Sequence, residues 1–295
     1  VHWTNPFQMP GRWFKGNLHT HTTRSDGELD ADERIAAYRD GGYDFIALTD
    51  HHVVSNDAAK STSDFLVIDG VEWEADDPEP GEMYHVLGLN VPPDLPIGRP
   101  ASLDEIKRSL TDAGALMVLA HPYWSGNTVE RVVNAVDGMF ALEVFNATCL
   151  GIGKGTSRVH WDDALDWGAR VCGIAVDDAH GTEHDVFKGW VMVRAPSLDA
   201  AAVLDALRAG AFYSTTGPRI EDVVVVDDGG IRVRCSPAVS ITFVAQRYRG
   251  RRVASERGKR LLDARYELTG DEHYVRIEVT DARGGTAWTN PMYFY

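Results

Sequence analysis

Residues 16–27 read GNLHTHTTRSDG, and His19, His21 and Asp26 within them have the chemistry of metal ligands. On an extended strand residues i and i+2 project from one face, so the two imidazoles can grip a single ion. Similar residues recur where apolar runs end: Asp50, His51 and His52 after FIALT, Glu72 in FLVIDGVEWE, His121 after ALMVLA, and Asp178 and His180 in VCGIAVDDAH. His85 departs from the pattern, because it opens its run, HVLGLNV. Any one of these alone reads as a hydrogen-bonded structural residue. Six of the 11 histidines close such runs and a seventh, His85, opens one, and that conjunction outweighs the isolated reading. Imidazole and carboxylate without thiolate suit Zn2+, Mn2+ or Fe2+ in a multi-metal hydrolytic centre.

The elements that must position these residues follow from the apolar pattern. Over the first ~215 residues short apolar runs alternate with helical segments at 30–40, 102–113, 157–167 and 198–209. Ser102 with Glu105 three residues on predicts a capping box. Strand and helix in alternation predict a parallel sheet or a (β/α) barrel, in which the C-terminal ends of the strands share one face. After GAFYSTTGPRI the texture changes to strands without helices, punctuated by DDGG and DARGG. Residues 1–216 therefore read as the barrel-like domain and 217–295 as a small antiparallel β-sandwich. The junction STTGP is too short and too poor in glycine for a flexible tether, so the two parts should be coupled.

Composition narrows the partners. A formal charge of −15 disfavours non-specific nucleic-acid binding and leaves a small molecule as the expected substrate. No apolar run approaches the ~20 residues that span a bilayer, so no membrane partner is expected. VHWTNPFQMPGRW lacks the charged and apolar regions of a secretory signal. Three cysteines without a CxxC pair suggest reduced thiols and a cytoplasmic location. No pattern specifies an oligomeric state.

Competing motifs fail on their mechanics. HGTEH (180–184) spells an inverted zinc-protease pattern, but that pattern needs a helix, and here it follows a strand and contains Gly181. GIGKGTS has Gly155 where a Walker loop requires Ser or Thr after the lysine. No GxSxG elbow supports a serine hydrolase.

In order, NLHTHTTRSDG, IALTDHH, GVEWE, HVLGL, LAHPY and DDAH resemble the motifs of the PHP (polymerase and histidinol phosphatase) superfamily of metal-dependent phosphoesterases. The resemblance spans about residues 13–215. The tail resembles the branch that includes carbaryl hydrolase-like proteins. The superfamily implies a distorted (β/α)7 barrel with two or three divalent ions. Carried over, His19, His21, Glu72 and Asp178 would bind a first metal. Glu72 would bridge to a second held by His85 and His121, and Asp26, His51 and His180 would hold a third. Asp50 would orient a ligand histidine, and Glu143 and Asn146 of LEVFN would line the pocket. His52 stands where Asp or Asn is expected. The implied reaction is hydrolysis of a small phosphate ester by a hydroxide bridging two ions. His52, His160 and His184 are candidates to protonate the leaving oxygen, and Arg24, Lys154, Arg158 and Lys188 to contact a phosphate. The alternatives are a metal-dependent hydrolase of a carboxylic ester, amide or carbamate, and a non-catalytic metal-stabilised binding protein.

Overall fold

The computed structural model describes residues 1–76, 83–99, 101–226 and 229–294. Asp227 and Asp228 of the DDGG turn lie outside these. Seven strands come first: β1 (Arg12–Asn17), β2 (Phe45–Leu48), β3 (Leu66–Asp76), β4 (Met83–Leu89), β5 (Leu116–Leu119), β6 (Ala141–Asn146) and β7 (Cys172–Val176). They lie side by side in chain order. The pairs β1–β2, β2–β3, β5–β6 and β6–β7 are parallel, whereas β4 is antiparallel to both its neighbours. Strict strand–helix alternation thus breaks between β3 and β4. The reversal accounts for His85: the start of an antiparallel strand lies where its neighbours end, so His85 shares their face after all.

Four helices cover the outer faces: α1 (Ala31–Asp40), α2 (Leu103–Asp112), α3 (Val129–Ala135) and α4 (Arg158–Asp166). Ser102 caps α2 in the expected box with Glu105, and Asp30 and Glu33 do the same for α1. The sequence pattern carried no signal for α3, which has only seven residues, about two turns. Period-two alternation sorts the strand side chains. Phe45, Ala47, Leu66, Ile68, Leu87, Leu89, Leu116, Val118, Ala141, Ile174 and Val176 join one enclosed apolar cluster, whereas Ile46, Leu48 and Val67 face Ile35 and Tyr38 of α1. The first and last strands meet where the chain runs past them. Thr20 and Ala179 form a parallel bridge, with Asp178 N–H donating to His19 O and His21 N–H to Ala179 O, both at 2.9 Å.

Next come β8 (Trp190–Ala195), α5 (Ala200–Arg208) and β9 (Phe212–Thr215), then β10 (Ile220–Val226), β11 (Gly230–Ala238), β12 (Ser240–Ala245), β13 (Gly250–Ala254), β14 (Leu261–Glu267), β15 (Tyr274–Thr280), β16 (Thr286–Thr289) and β17 (Met292–Tyr293). Strands β10, β11 and β14 form a separate antiparallel sheet. It packs on β12 and β15 through Val223, Ile231, Val233, Ile241, Phe243, Val275 and Ile277. The other layer is not a sheet of its own, since β16 bonds β9, β9 bonds β8 and β8 bonds β1, so one sheet runs from β13 through to β7. Among the described residues no helix is long and apolar enough to cross a membrane.

Candidate metal centre

His19 and His21 follow β1, and local bonds fix the turn after them. Fully buried Asp50 accepts the Thr22 N–H (2.6 Å), the Thr22 hydroxyl (2.8 Å) and the Ser25 hydroxyl (2.9 Å). Gly27 is required there, because a Cβ would stand 2.6 Å from the His21 carbonyl. This folds Asp26 back until its Oδ1 lies 3.6 Å from His21 Nδ1. Asp50 therefore shapes the turn and reaches His21 only through Ser25, whose Oγ is 3.3 Å from Nδ1.

The nine histidines and carboxylates expected as ligands converge. The Nε2 atoms of His19 and His21 lie 3.0–3.2 Å from Glu72 Oε2, from Asp178 Oδ1 and from each other. On the other side of Glu72, Oε1 is 2.8 Å from His85 Nδ1 and 3.1 Å from His121 Nε2. At the mouth, Asp26 is 3.4 Å from His180 Nε2 and 3.7 Å from His51 Nε2. The grouping is more shared than the carried-over one. His21 joins Asp26, His51 and His180, and His51 also joins Glu72 and His85, its Nδ1 3.2 Å from Glu72 Oε2.

Glu143 is the carboxylate that orients a histidine. Its Oε1 sits 2.6 Å from His19 Nδ1, and Oε2 accepts from His121 N–H and Asn146 Nδ2, both at 2.8 Å. Asn146 also donates to Asp178 Oδ2 at 3.0 Å. Backbone strain gathers here too: among the described residues, three of the six non-glycine residues at positive φ are His52, His121 and Asp178.

These groups demand a cation. Glu143 accepts a hydrogen bond from the Nδ1–H of His19, which leaves a neutral ring's Nε2 lone pair aimed at Glu72 and Asp178, acceptor against acceptor. Burial lowers the His19 pKa, but Asp178, Glu72 and Glu143 outweigh it and hold it well above its ordinary value. For His21 burial is likewise outweighed by Asp178 and Glu72, to about 9. Glu72 is held well below the carboxylate range, where His19, His85 and His121 overcome the penalty of burial. Positive charge must come from protons on the rings or from metal ions. Two imidazoles and two carboxylates around one point match a four-coordinate divalent ion, so the donor set fits.

The remaining candidates fall elsewhere. Arg24 is no free phosphate contact, because its guanidinium is clamped on Asp57 by both Nη atoms. Arg158 is likewise spent, bonding Glu278 of β15 at 3.1 Å. Lys154 Nζ stands 5.5 Å over the Tyr123 ring. His160 donates to Asn127 O. His52 Nε2 lies 3.1 Å from Glu74 Oε2, and His52 is not among the residues lining the metal cavity. His184 and Lys188 line a neighbouring cavity of about 730 Å³, which shares Thr148 with the metal cavity of about 280 Å³.

Some residues around the site are not among the candidates read from the sequence. Glu74 lies two residues beyond Glu72 on one strand face, a signal the alternation of β3 already held. Ser25 and Ser125 each stand four residues after a histidine whose Nδ1 they approach, at 3.3 and 3.1 Å. Trp124 closes one wall edge-on to His121 and His85, with centroids 5.0 and 5.8 Å away.

No protein-family model matches the chain, and no curated protein matches it by sequence. Solved structures align with it, and the first of these shares its fold. A two-domain protein from Bacteroides vulgatus containing a predicted PHP-like metal-dependent phosphoesterase aligns over 97% of this chain and 98% of its own, at 18% identity and a TM-score of 0.52. A Bifidobacterium adolescentis protein assigned as a metal-dependent phosphoesterase aligns over 66% of this chain and 96% of its own, at 17% identity and a TM-score of 0.48. A Chromobacterium violaceum amidohydrolase, solved with sulfate and no metal, aligns over 58% and 89%, at 16% identity and a TM-score of 0.46.

Proposed function

We propose that the chain is a metal-dependent hydrolase of the PHP type, and specifically a phosphoesterase acting on a small phosphate ester. The observation that carries this reading is Glu72. One fully buried carboxylate turns Oε2 to His19, His21 and His51 and Oε1 to His85 and His121, the posture of a bridge between two cation sites. The likeness in fold to the two-domain Bacteroides protein supports the same reading, as does the bridge between Thr20 and Ala179, which would close the seven strands into a distorted barrel. Residues 1–216 would form that barrel and 217–295 the second domain.

His19, His21, Glu72 and Asp178 would hold one divalent ion, with His85 and His121 joining Glu72 at a second. Asp26, His51 and His180 would serve a third at the mouth. Such ions supply Lewis acidity to a phosphoryl or carbonyl oxygen and acidify water. The chain's own part is to hold the donors in place. Glu143 keeps the proton of His19 on Nδ1, Ser25 and Ser125 steady the rings of His21 and His121, and Trp124 walls off solvent.

A second reading, a carboxylic ester, amide or carbamate as substrate, has its own support. Among the described residues no lysine or arginine lines the metal cavity, so the chain adds no fixed positive charge for a phosphate. Elemental analysis after reconstitution with Mn2+, Zn2+ or Fe2+ should find at least two ions per chain, and less than one would end both readings. Hydrolysis of p-nitrophenyl phosphate over p-nitrophenyl acetate supports the first, and the reverse order supports the second.

A further inference from the structure

The net charge of −15 averages two unlike regions. Residues 217–295 hold 13 Lys and Arg against 11 Asp and Glu, whereas residues 1–216 hold 16 against 33. The positive charge is concentrated further. The stretch 247–260, RYRGRRVASERGKR, has seven basic residues and one acidic, and six of the seven are arginine. It covers the turn after β12, the strand β13 and the loop before β14. Strand β13 is the free end of the large sheet. Arg247, Arg251, Arg252, Arg257, Lys259 and Arg260 are exposed. Arg249 pairs with Asp271 and Lys259 with Glu256, but Arg251 and Arg257 have no ion pair among the described residues.

Two flat side chains stand in the same place. Tyr248 is 85% exposed and Trp167, at the end of α4, is 77% exposed, more than any other large apolar side chain described. They are neighbours in the fold as well. The Asp166 carboxylate accepts the Arg247 N–H at 2.9 Å, so each aromatic residue adjoins one end of that bond. Arg247 is held there at φ 55°, a strained conformation for a side chain of its size. Tyr248 in turn lies under the Arg249 guanidinium, 5.2 Å from its ring centroid.

We infer that the rim built from the end of α4, the β12–β13 turn and the edge strand β13, from which Arg251 and Arg252 project to opposite sides, is a docking surface for single-stranded nucleic acid. Guanidinium forks match phosphate oxygens in pairs, which a lysine-rich patch would not. Exposed rings among such cations provide the stacking platform that unpaired bases use. Arginines on an edge strand also deter edge-to-edge pairing, but that task calls for neither seven basic residues in 14 nor two bare aromatic rings. A strongly acidic remainder repels polyanions, so contact is confined to this face. None of these residues lines the metal cavity or its neighbour, and the inference does not depend on the hydrolase reading.

The test is fluorescence anisotropy of the full chain with a labelled 20-nucleotide oligothymidine, from 50 to 200 mM salt. Saturable, salt-sensitive binding is expected. The triple variant Arg251→Ala, Arg252→Ala, Arg257→Ala should weaken it and reduce the log–log salt slope by about 2, since each phosphate neutralised on a single strand adds about 0.7 to that slope. The double variant Trp167→Ala, Tyr248→Ala should weaken binding about tenfold or more with the slope unchanged. Ester hydrolysis should stay at the parent level in both. Should the triple variant fail to fold, Arg257→Glu alone, in an exposed loop, is read in its place. The inference is overturned by absence of binding at 50 mM salt, or by binding that neither variant changes. Capture by vesicles containing 30% phosphatidylserine without capture of the oligonucleotide overturns it equally.

Discussion

Two buried polar clusters make opposite use of charge. At the α4–β15 contact, Arg276 is 1% exposed and bonds Asp162 (Nε to Oδ1, 2.7 Å) and Glu278 (Nη1 to Oε1, 2.6 Å), with its guanidinium 4.7 Å over Trp161. Arg158 adds a second cation on Glu278. Two carboxylates meet two guanidiniums that cannot lose their protons, so the balance is permanent. In the candidate metal centre, Glu72, Asp178 and Glu143 are as buried as Arg276 and Glu278, but their partners are imidazoles, positive only when protonated. Burial is not the decisive difference, since Arg276 and Glu278 are as enclosed as the metal-centre carboxylates, although Asp162 and Arg158 reach solvent. What distinguishes them is whether the chain supplies all of its own counter-charge, and the one that does not has room for an ion.

The comparison is broken most severely at the bridging carboxylate. Glu72→Gln removes the negative charge shared by both sides, so metal content should fall by at least one ion and kcat by at least about 10³-fold, the upper end for removing one electrostatic stabiliser of a transition state. Full metal content in elemental analysis would deny Glu72 its bridging place. Arg276→Met should act on stability alone. It takes the cation from Asp162, which reaches solvent, and leaves Glu278 only the half-exposed Arg158, so it should cost about 3 kcal/mol in urea unfolding, the low end for breaking a buried pair, while the metal content of the folded protein stays at the parent value. Metal loss in that variant would mean the two clusters are one unit. Glu143→Gln tests orientation without touching a ligand atom. Metal affinity by competition with a chromogenic chelator should drop about 10–100-fold, and an unchanged affinity would reduce Glu143 to packing.

The smallest effect separates the clusters by pH. In chelated protein the raised pKa of His21, about 9 against an ordinary 6.5, contributes stability fully below 6.5 and loses it as pH rises through about 9. Glu278 behaves differently. Burial raises its pKa, but Arg276 and Arg158 outweigh that and hold it below 4.5, so its contribution is full above 4.5 and lost only on the acid side. The Tm of chelated protein should therefore fall between pH 6.5 and 9, and metal should abolish the fall, since ions replace protons as counter-charge. A flat profile without metal would remove the argument that this cluster lacks charge of its own.

What the sequence showed in advance depended on distance along the chain. The capping box of Ser102 and Glu105 spans three residues, and the structure has it. Most ligand-type residues are legible because they close apolar runs, a local signal repeated five times over, and Asp26 follows one of them by a short turn. The exception, His85, needed the direction of β4, which no local pattern records. Arg24 and Arg158 looked available because Asp57 and Glu278 lie 33 and 120 residues away. Asp50 and Glu143 were both recognised as polar residues at strand ends, and only packing shows that Glu143 holds the His19 ring and Asp50 the turn.

The bridge between Thr20 and Ala179 bears on how the molecule is made. His21 and Asp178 are 157 residues apart in sequence, yet their side chains touch at 3.0 Å. A ribosome adding about 5–20 residues per second therefore exposes His19 and His21 for roughly 8–30 s before their last partner emerges. Contacts of such long sequence separation form late, because the intervening loop must close first. A metal bound at this site would then act as a latch fastened after folding, not as a seed for it. Added Mn2+ or Zn2+ should slow unfolding in denaturant and leave the refolding rate unchanged, and faster refolding with metal would show that the ions gather the two ends early.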